Sequence, residues 1–334
     1  MANLRTTGID RRTFLAGVGG LASVAAAAGS ARAQNYGQVV GEQPFARIEK
    51  LGENVWAVVS TPLNHDHSFN PQGMATLCNG GIVAGADRVA VIDGFYTPAG
   101  GAWVASMARK LTGRDVTDVI VTHFHADHTG GLAGFQRGAE GPEIYATETT
   151  RKLIFERYSG PNPVEGSPFS APAIRPVLPT RIITDETNPV SLDLGGRSLT
   201  LEPLLGHTPS DLAIQVDDAP VLFAGDLVWA GLFHNYMDAI PSKLRKSAGR
   251  VLKDKNTVIV TGHGYVAKAR DLQNYLRLLD HVEEAARVTF EAGKSPEEGA
   301  AEFSVPASLG EWVLFNPKYY EVAFAAWRRE LEAA

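Results

Sequence analysis

Cysteine is nearly absent from this chain. Cys78 is the single one among 334 residues, so no disulfide can close within a molecule and stability must come from packing. A comfortable membrane span is lacking at the N-terminus: the apolar run that ends at Ala28 is about 15 residues long and rich in Gly and Ala, against the roughly 20 that a spanning helix needs. Basic charge is not in excess, since 31 Lys and Arg stand against 37 Asp and Glu, and this argues against a nucleic-acid partner. There is no repeat and no low-complexity tract. The 34 Gly and 19 Pro are spread along most of the chain and read as turns between many short elements. What is present in quantity is hydrophobic residues, 44% of the total, enough for one large core.

At the N-terminus Asp10-Arg11-Arg12-Thr13-Phe14-Leu15, the weakly apolar run and Ala31-Arg32-Ala33 resemble a twin-arginine export signal. The expectation is passage through the twin-arginine export machinery, cleavage after Ala33, a periplasmic location and no membrane attachment of the mature chain. An uncleaved anchor or tail is the alternative. Residues 1–33 carry four Arg and one Asp, so their removal leaves 27 basic against 36 acidic residues, a net charge of −9. Cys78, within Ala75-Thr76-Leu77-Cys78, reads as a small buried hydrophobe.

Short β-rich runs at Ala46–Leu51, Val55–Ser60, Gly73–Val83 and Arg88–Asp93 predict a meander. A helix at Ala102–Leu111, a strand at Val116–Thr122 and a helix at Thr129–Arg137 follow. After a proline-punctuated passage, a second β half is predicted at Arg181–Thr184, Ser198–Leu205, Leu212–Val216 and Val221–Ala224. A helix at Ser242–Lys253 and a strand at Thr257–Thr261 complete it. From Ala267 onward the apolar spacing is helical.

The chemistry concentrates in His123-Phe124-His125-Ala126-Asp127-His128, which follows a strand and enters a helix. His123 and His125, two apart in extended backbone, converge on one ion, while Asp127 and His128 around the turn address a second. Imidazole and carboxylate together suit a zinc-like divalent ion. Three further ligand-type residues close apolar runs beside glycine: His207 after Gly206, Asp226 after Gly225 and His263 after Gly262. The helical repeats Leu272, Tyr275, Leu276, Leu279 and Tyr320, Val322, Phe324, Trp327, Leu331 read instead as packing faces.

The order His-x-His-x-Asp-His, Gly-His-Thr, Gly-Asp, Gly-His-Gly resembles the metallo-β-lactamase superfamily over about Phe45 to Val266. The resemblance implies an α/β fold, a four-layer αββα sandwich at 45–266. It is preceded by a linker at 34–44 and followed by a helical extension at 267–334. It implies two zinc ions per chain, the first held by His123, His125 and His207, the second by Asp127, His128 and His263, with Asp226 bridging. Asp93 matches an aspartate that supports the site without binding metal. The implied reaction is attack by a bridging hydroxide on an ester, thioester, lactone or amide-type carbonyl of a small molecule, with Asp127 orienting it and carrying a proton.

An Asp at 226 is similar to the hydroxyacylglutathione hydrolase, lactonase and phosphodiesterase branches, where β-lactamases carry Cys or Ser. Gly262-His263-Gly264-Tyr265 and the export signal resemble periplasmic zinc hydrolases associated with quinoprotein systems. A mononuclear iron oxidoreductase similar to sulfur dioxygenases, a β-lactamase and a metal-bearing scaffold protein are the alternatives. His65 and His67, in the Thr61–Gln72 loop, line the pocket, bind an adventitious ion or sit in solvent. Trp229, Phe233, His234 and Tyr236 form either an aromatic wall or packing.

Overall fold

A computed structural model describes residues 36–60, 74–136, 141–159, 176–252 and 254–334. The export signal, cleavage site and His65/His67 loop lie outside the described residues. Thirteen strands among those described form two sheets. The first, in sequential order, contains β1 (Gln38–Gln43), β2 (Ala46–Gly52), β3 (Val55–Ser60), β4 (Gly80–Ala84), β5 (Val89–Ile92), β6 (Asp118–Ile120), β7 (Glu143–Thr147) and β8 (Arg181–Ile183). The second runs β13 (Val258–Gly264), β12 (Val221–Ala230), β11 (Asp211–Val216), β10 (Ser198–Leu204) and β9 (Val190–Asp193).

Side chains alternate across a strand, and here both faces are buried. In β3, Val55, Ala57 and Val59 point between the sheets, while Trp56 and Val58 face outward under helix α1 (Pro98–Thr112). In the second sheet, Phe223, Val258 and Val260 point inward. Leu222, Ala224 and Ile259 face the outer helices α4 (Pro241–Arg250), α5 (Ala269–Glu291) and α7 (Tyr319–Glu332). Three buried layers between helix, sheet, sheet and helix make the expected αββα sandwich.

Local sequence sets the ends of α1. The Thr97 side chain accepts from Gly100 N, Pro98 opens the first turn, and Gly113 ends the helix at φ 75°, each a standard terminus signal.

Several elements depart from the sequence reading. Residues 38–43, within the stretch read as linker, pair with β2; this polar edge strand carries little apolar periodicity to betray it. The helix expected at Thr129–Arg137 is a single helical turn, α2 (Ala126–Thr129), followed by a 3-10 turn at Leu132–Phe135. Gly131 and Gly134 there pack backbone to backbone, a Cβ on Gly131 falling 2.3 Å from the Gly94 carbonyl. Strands β7 and β9 and helix α3 (Glu148–Tyr158) were not anticipated, their apolar residues being too sparse for either periodicity. The C-terminal stretch is interrupted at 303–318, between α6 (Pro296–Glu302) and α7, where Pro306, Gly310 and Pro317 exclude a continuous helix. Val313 there bridges to Leu232 beside β12.

One close contact between the sheets is that of Gly81 with Phe223, where a Cβ on Gly81 would lie 2.0 Å from the ring. Phe223→Ala is expected to cost about 3–5 kcal/mol and Gly81→Ala about 1–3 kcal/mol through overpacking. Together they should cost less than their sum, because the missing ring makes room for the methyl. Urea unfolding of the four proteins measures this; strict additivity would show the two positions do not meet.

Candidate metal centre

Both sheets deliver polar side chains to one seam. Asp93 follows β5 and His123 follows β6, while His207 follows β10. Asp226 and His263 depart from the strand-end expectation: Asp226 sits inside β12, which continues to Ala230, and His263 inside β13. The glycine before Asp226 marks a distortion within the strand. Gly225 has φ 51°, and the β12–β13 register shifts on either side of it. Gly262 supplies space, since a Cβ there would fall 1.8 Å from Asp226 Oδ1.

All seven expected ligand residues meet, in two sets. His123 Nε2 lies 3.1 Å and His207 Nε2 3.0 Å from His125 Nδ1, and Asp226 Oδ2 is 3.2 Å from His207 Nε2. In the second set, His263 Nε2 lies 3.0 Å from Asp127 Oδ2 and His128 Nε2 3.7 Å from it. Asp226 touches this set as well, with Oδ1 3.2 Å from His128 Nε2 and Oδ2 3.5 Å from His263 Nε2. A tetrahedral zinc with bonds near 2.0–2.1 Å separates its ligand atoms by about 3.3 Å, close to the spacing of the first set. His128 Nε2 and Asp226 Oδ1 are buried and make no hydrogen bond among the described residues, which suits atoms directed at a cation.

Partners behind each imidazole choose which nitrogen faces the centre. Asp93, held at φ 69°, accepts from Thr122 N and Oγ1 and from His128 Nδ1 at 2.9 Å, leaving His128 Nε2 free. Thr122 Oγ1 accepts from His123 Nδ1 at 3.0 Å. His125 is reversed: its Nε2 donates to Asp238 Oδ2 at 2.9 Å, and Arg157 donates to the other Asp238 oxygen at 2.8 Å. The turn carrying His207 is held by Asp211, which accepts from His207 N, Thr208 N and Thr208 Oγ1. Asn79 ties the sheets together at the seam, donating from N to Gly262 O and from Nδ2 to Gly264 O.

Burial drives the His207 imidazole down to about 3 and His123 well below the usual range, so both offer a lone pair. Burial also opposes charge on His263, yet Asp226 and Asp127 outweigh it and raise that imidazole to about 9. Burial raises the Asp127 carboxyl, but His128 and His263 outweigh this and hold it at about 2. Positive charge is therefore favoured between Asp127, Asp226 and His263. Cys78 is buried beside Asp93 and His128, and burial pushes its thiol up to about 12, consistent with a small apolar residue.

Sequence reading missed Asp238, Asp211, Thr122 and Asn79. Asp238 and Asn79 stand beside no motif and only the fold brings them to the seam, whereas Thr122 and Asp211 flank the histidine motifs and their support roles appear only in the contacts. Of the proposed aromatic wall, Phe233 and Tyr236 are core residues, while the Trp229 ring packs at 4.4 Å on His263.

Asp238→Ala is expected to weaken metal binding at the donor set containing His125 by about 10–100-fold, the usual effect of removing a carboxylate that orients a histidine at a metal site. Equilibrium dialysis with metal quantification reads it; a change under about threefold would deny Asp238 that role.

Residues 73–263 match the family model described as the metallo-beta-lactamase superfamily. The metallo-beta-lactamase type 2 of Bacillus sp. (strain 170) is 26% identical over 238 residues, 70% of this chain and 81% of that protein. A hydroxyacylglutathione hydrolase of Haemophilus influenzae is 29% identical over 113 residues, 34% of this chain and 50% of that protein. A solved metallo-beta-lactamase from Pontibacter korlensis shares the fold with TM-score 0.56 and 21% identity, covering 70% of this chain and 99% of its own. Because the family match spans more than half of the sequence, from just before β4 through His263, the chain belongs to the metallo-β-lactamase superfamily of metal-dependent hydrolases.

Proposed function

We propose that this protein is a dinuclear zinc hydrolase that opens an ester, thioester, lactone or amide-type carbonyl of a small molecule, and that it works in the periplasm after twin-arginine export. The observation that carries the reading is Asp226, whose carboxylate lies within 3.2–3.5 Å of imidazole nitrogens from both donor sets and so fits a residue shared by two ions. His123, His125 and His207 would hold the first, and Asp127, His128 and His263 the second. The export motif and the net charge of −9 without residues 1–33 support the location. The catalytic unit is taken as 45–266, with 267–334 as an extension.

When bound, two zinc ions supply Lewis acidity and lower the pKa of a water towards 7. The chain's own residues do the rest. Asp127 is the most exposed of the seven donors, its side chain 20% accessible while Asp226 is 3%. With Oδ2 turned to His263, its other oxygen would hold or pass the proton. Asp93, Thr122 and Asp238 keep His128, His123 and His125 in fixed tautomers, so the site is organised before substrate arrives. Thr208 and Asp211 do the same for the loop of His207.

Two relatives matched over 70% of this chain are β-lactamases by name, so the substrate panel should include β-lactams beside esters, thioesters and lactones. The expected result is about two zincs per chain and turnover on at least one substrate that chelation abolishes. One iron per chain, or no hydrolysis across the panel, would overturn the reading. Asp127→Ala is expected to lower kcat by at least about 100-fold with an unchanged circular dichroism spectrum; a wild-type rate in that variant would remove Asp127 from the mechanism.

A further inference from the structure

The family match stops at residue 263, and no candidate ligand lies beyond it. Two paths of buried side chains nevertheless lead from the centre into the helices that follow. His207 Nδ1 lies 3.0 Å from His234 Nε2, and His234 Nδ1 lies 2.9 Å from the Tyr275 hydroxyl. Tyr275 belongs to α5, and all three residues are fully buried. On the other side the His263 ring packs on Trp229, and Trp229 meets Tyr319, the first residue of α7, at 6.2 Å.

The first path has a definite direction if His207 is a ligand. A His207 that offers Nε2 to an ion keeps its proton on Nδ1 and donates it to His234 Nε2. His234 must then carry its own proton on Nδ1, which donates to the Tyr275 oxygen. Burial leaves no solvent to replace that acceptor, and an unpaired N–H in such a place is costly. With an ion on His207 Nε2 the donors run from His207 to His234 to the Tyr275 oxygen, and removing that oxygen leaves the His234 Nδ1–H without an acceptor.

We propose that Tyr275, acting through His234, is a positioning residue for His207, so that the C-terminal helices are energetically coupled to metal binding. The inference rests on the metal-centre reading above. By reciprocity, whatever the docked helix adds to metal affinity, the metal adds to the hold on the helix. A purely structural role, in which the His–Tyr pair only fastens α5 to the segment that follows β12, predicts no such coupling.

The test uses the full chain and zinc alone. Zinc affinity is read by competition with a chromophoric chelator, and the thermal midpoint is taken with zinc and with excess chelator. In wild type, two zincs and a zinc-dependent rise in midpoint are expected. His234→Leu should weaken one of the two zincs by about 10–100-fold and Tyr275→Phe by about tenfold, each shrinking the zinc-dependent rise. His234→Gln keeps an oxygen that can accept from His207 Nδ1 and should recover affinity to within about tenfold of wild type. Variants that lower both midpoints equally while binding zinc as wild type does would show the network to be structural and overturn the inference. A wild-type chain that takes up no zinc would instead overturn the metal-centre reading on which it stands.

Discussion

Asp226 is the group around which the rest of the molecule is arranged. A carboxylate this deeply buried is expensive, and its Oδ1 makes no hydrogen bond among the described residues. What offsets the cost is the ring of imidazoles from both sheets and the space left by Gly262. The two sheets must therefore keep their ends together, which the Asn79 bonds to Gly262 and Gly264 do at the seam. Packing between the sheets, from Val55 to Val260, is what holds that alignment.

The candidate ligands were legible in the sequence because they are polar residues set against apolar strands, where nothing but a site accounts for them. The αββα order was legible for a similar reason: strand runs and helical runs alternate twice. The residues behind the ligands were not. Asp238 is 113 positions from His125, and Asn79 is 182 from Thr261. Such pairs follow from topology and leave no local pattern. The glycine beside Asp226 is visible in the sequence, but the run it closes does not end the strand, which bulges there and runs on to Ala230.

The supporting contacts share one logic. Each imidazole of the first set, and His128 in the second, has its far nitrogen occupied, by Thr122, Asp238, His234 or Asp93. A histidine fixed at one nitrogen has one lone pair to give and one direction in which to give it. Asp93 occupies a left-handed backbone conformation of the kind proteins keep where neighbouring structure enforces it. The same carboxylate also orders the Thr122 backbone, so one strained residue sets two histidines, His128 directly and His123 through the Thr122 hydroxyl.

Gly262 has a consequence for selectivity among ions. Because its backbone lies against Asp226 Oδ1, the carboxylate has no room to swing to that side and widen the space between the two donor sets. The distance from one set to the other is thereby written into main-chain geometry, in the pairing of β12 with β13. A cation with a larger radius or a higher coordination number would have to move two strands of a packed sheet, so main-chain stiffness is expected to narrow the choice of ion where the donor atoms alone would be tolerant.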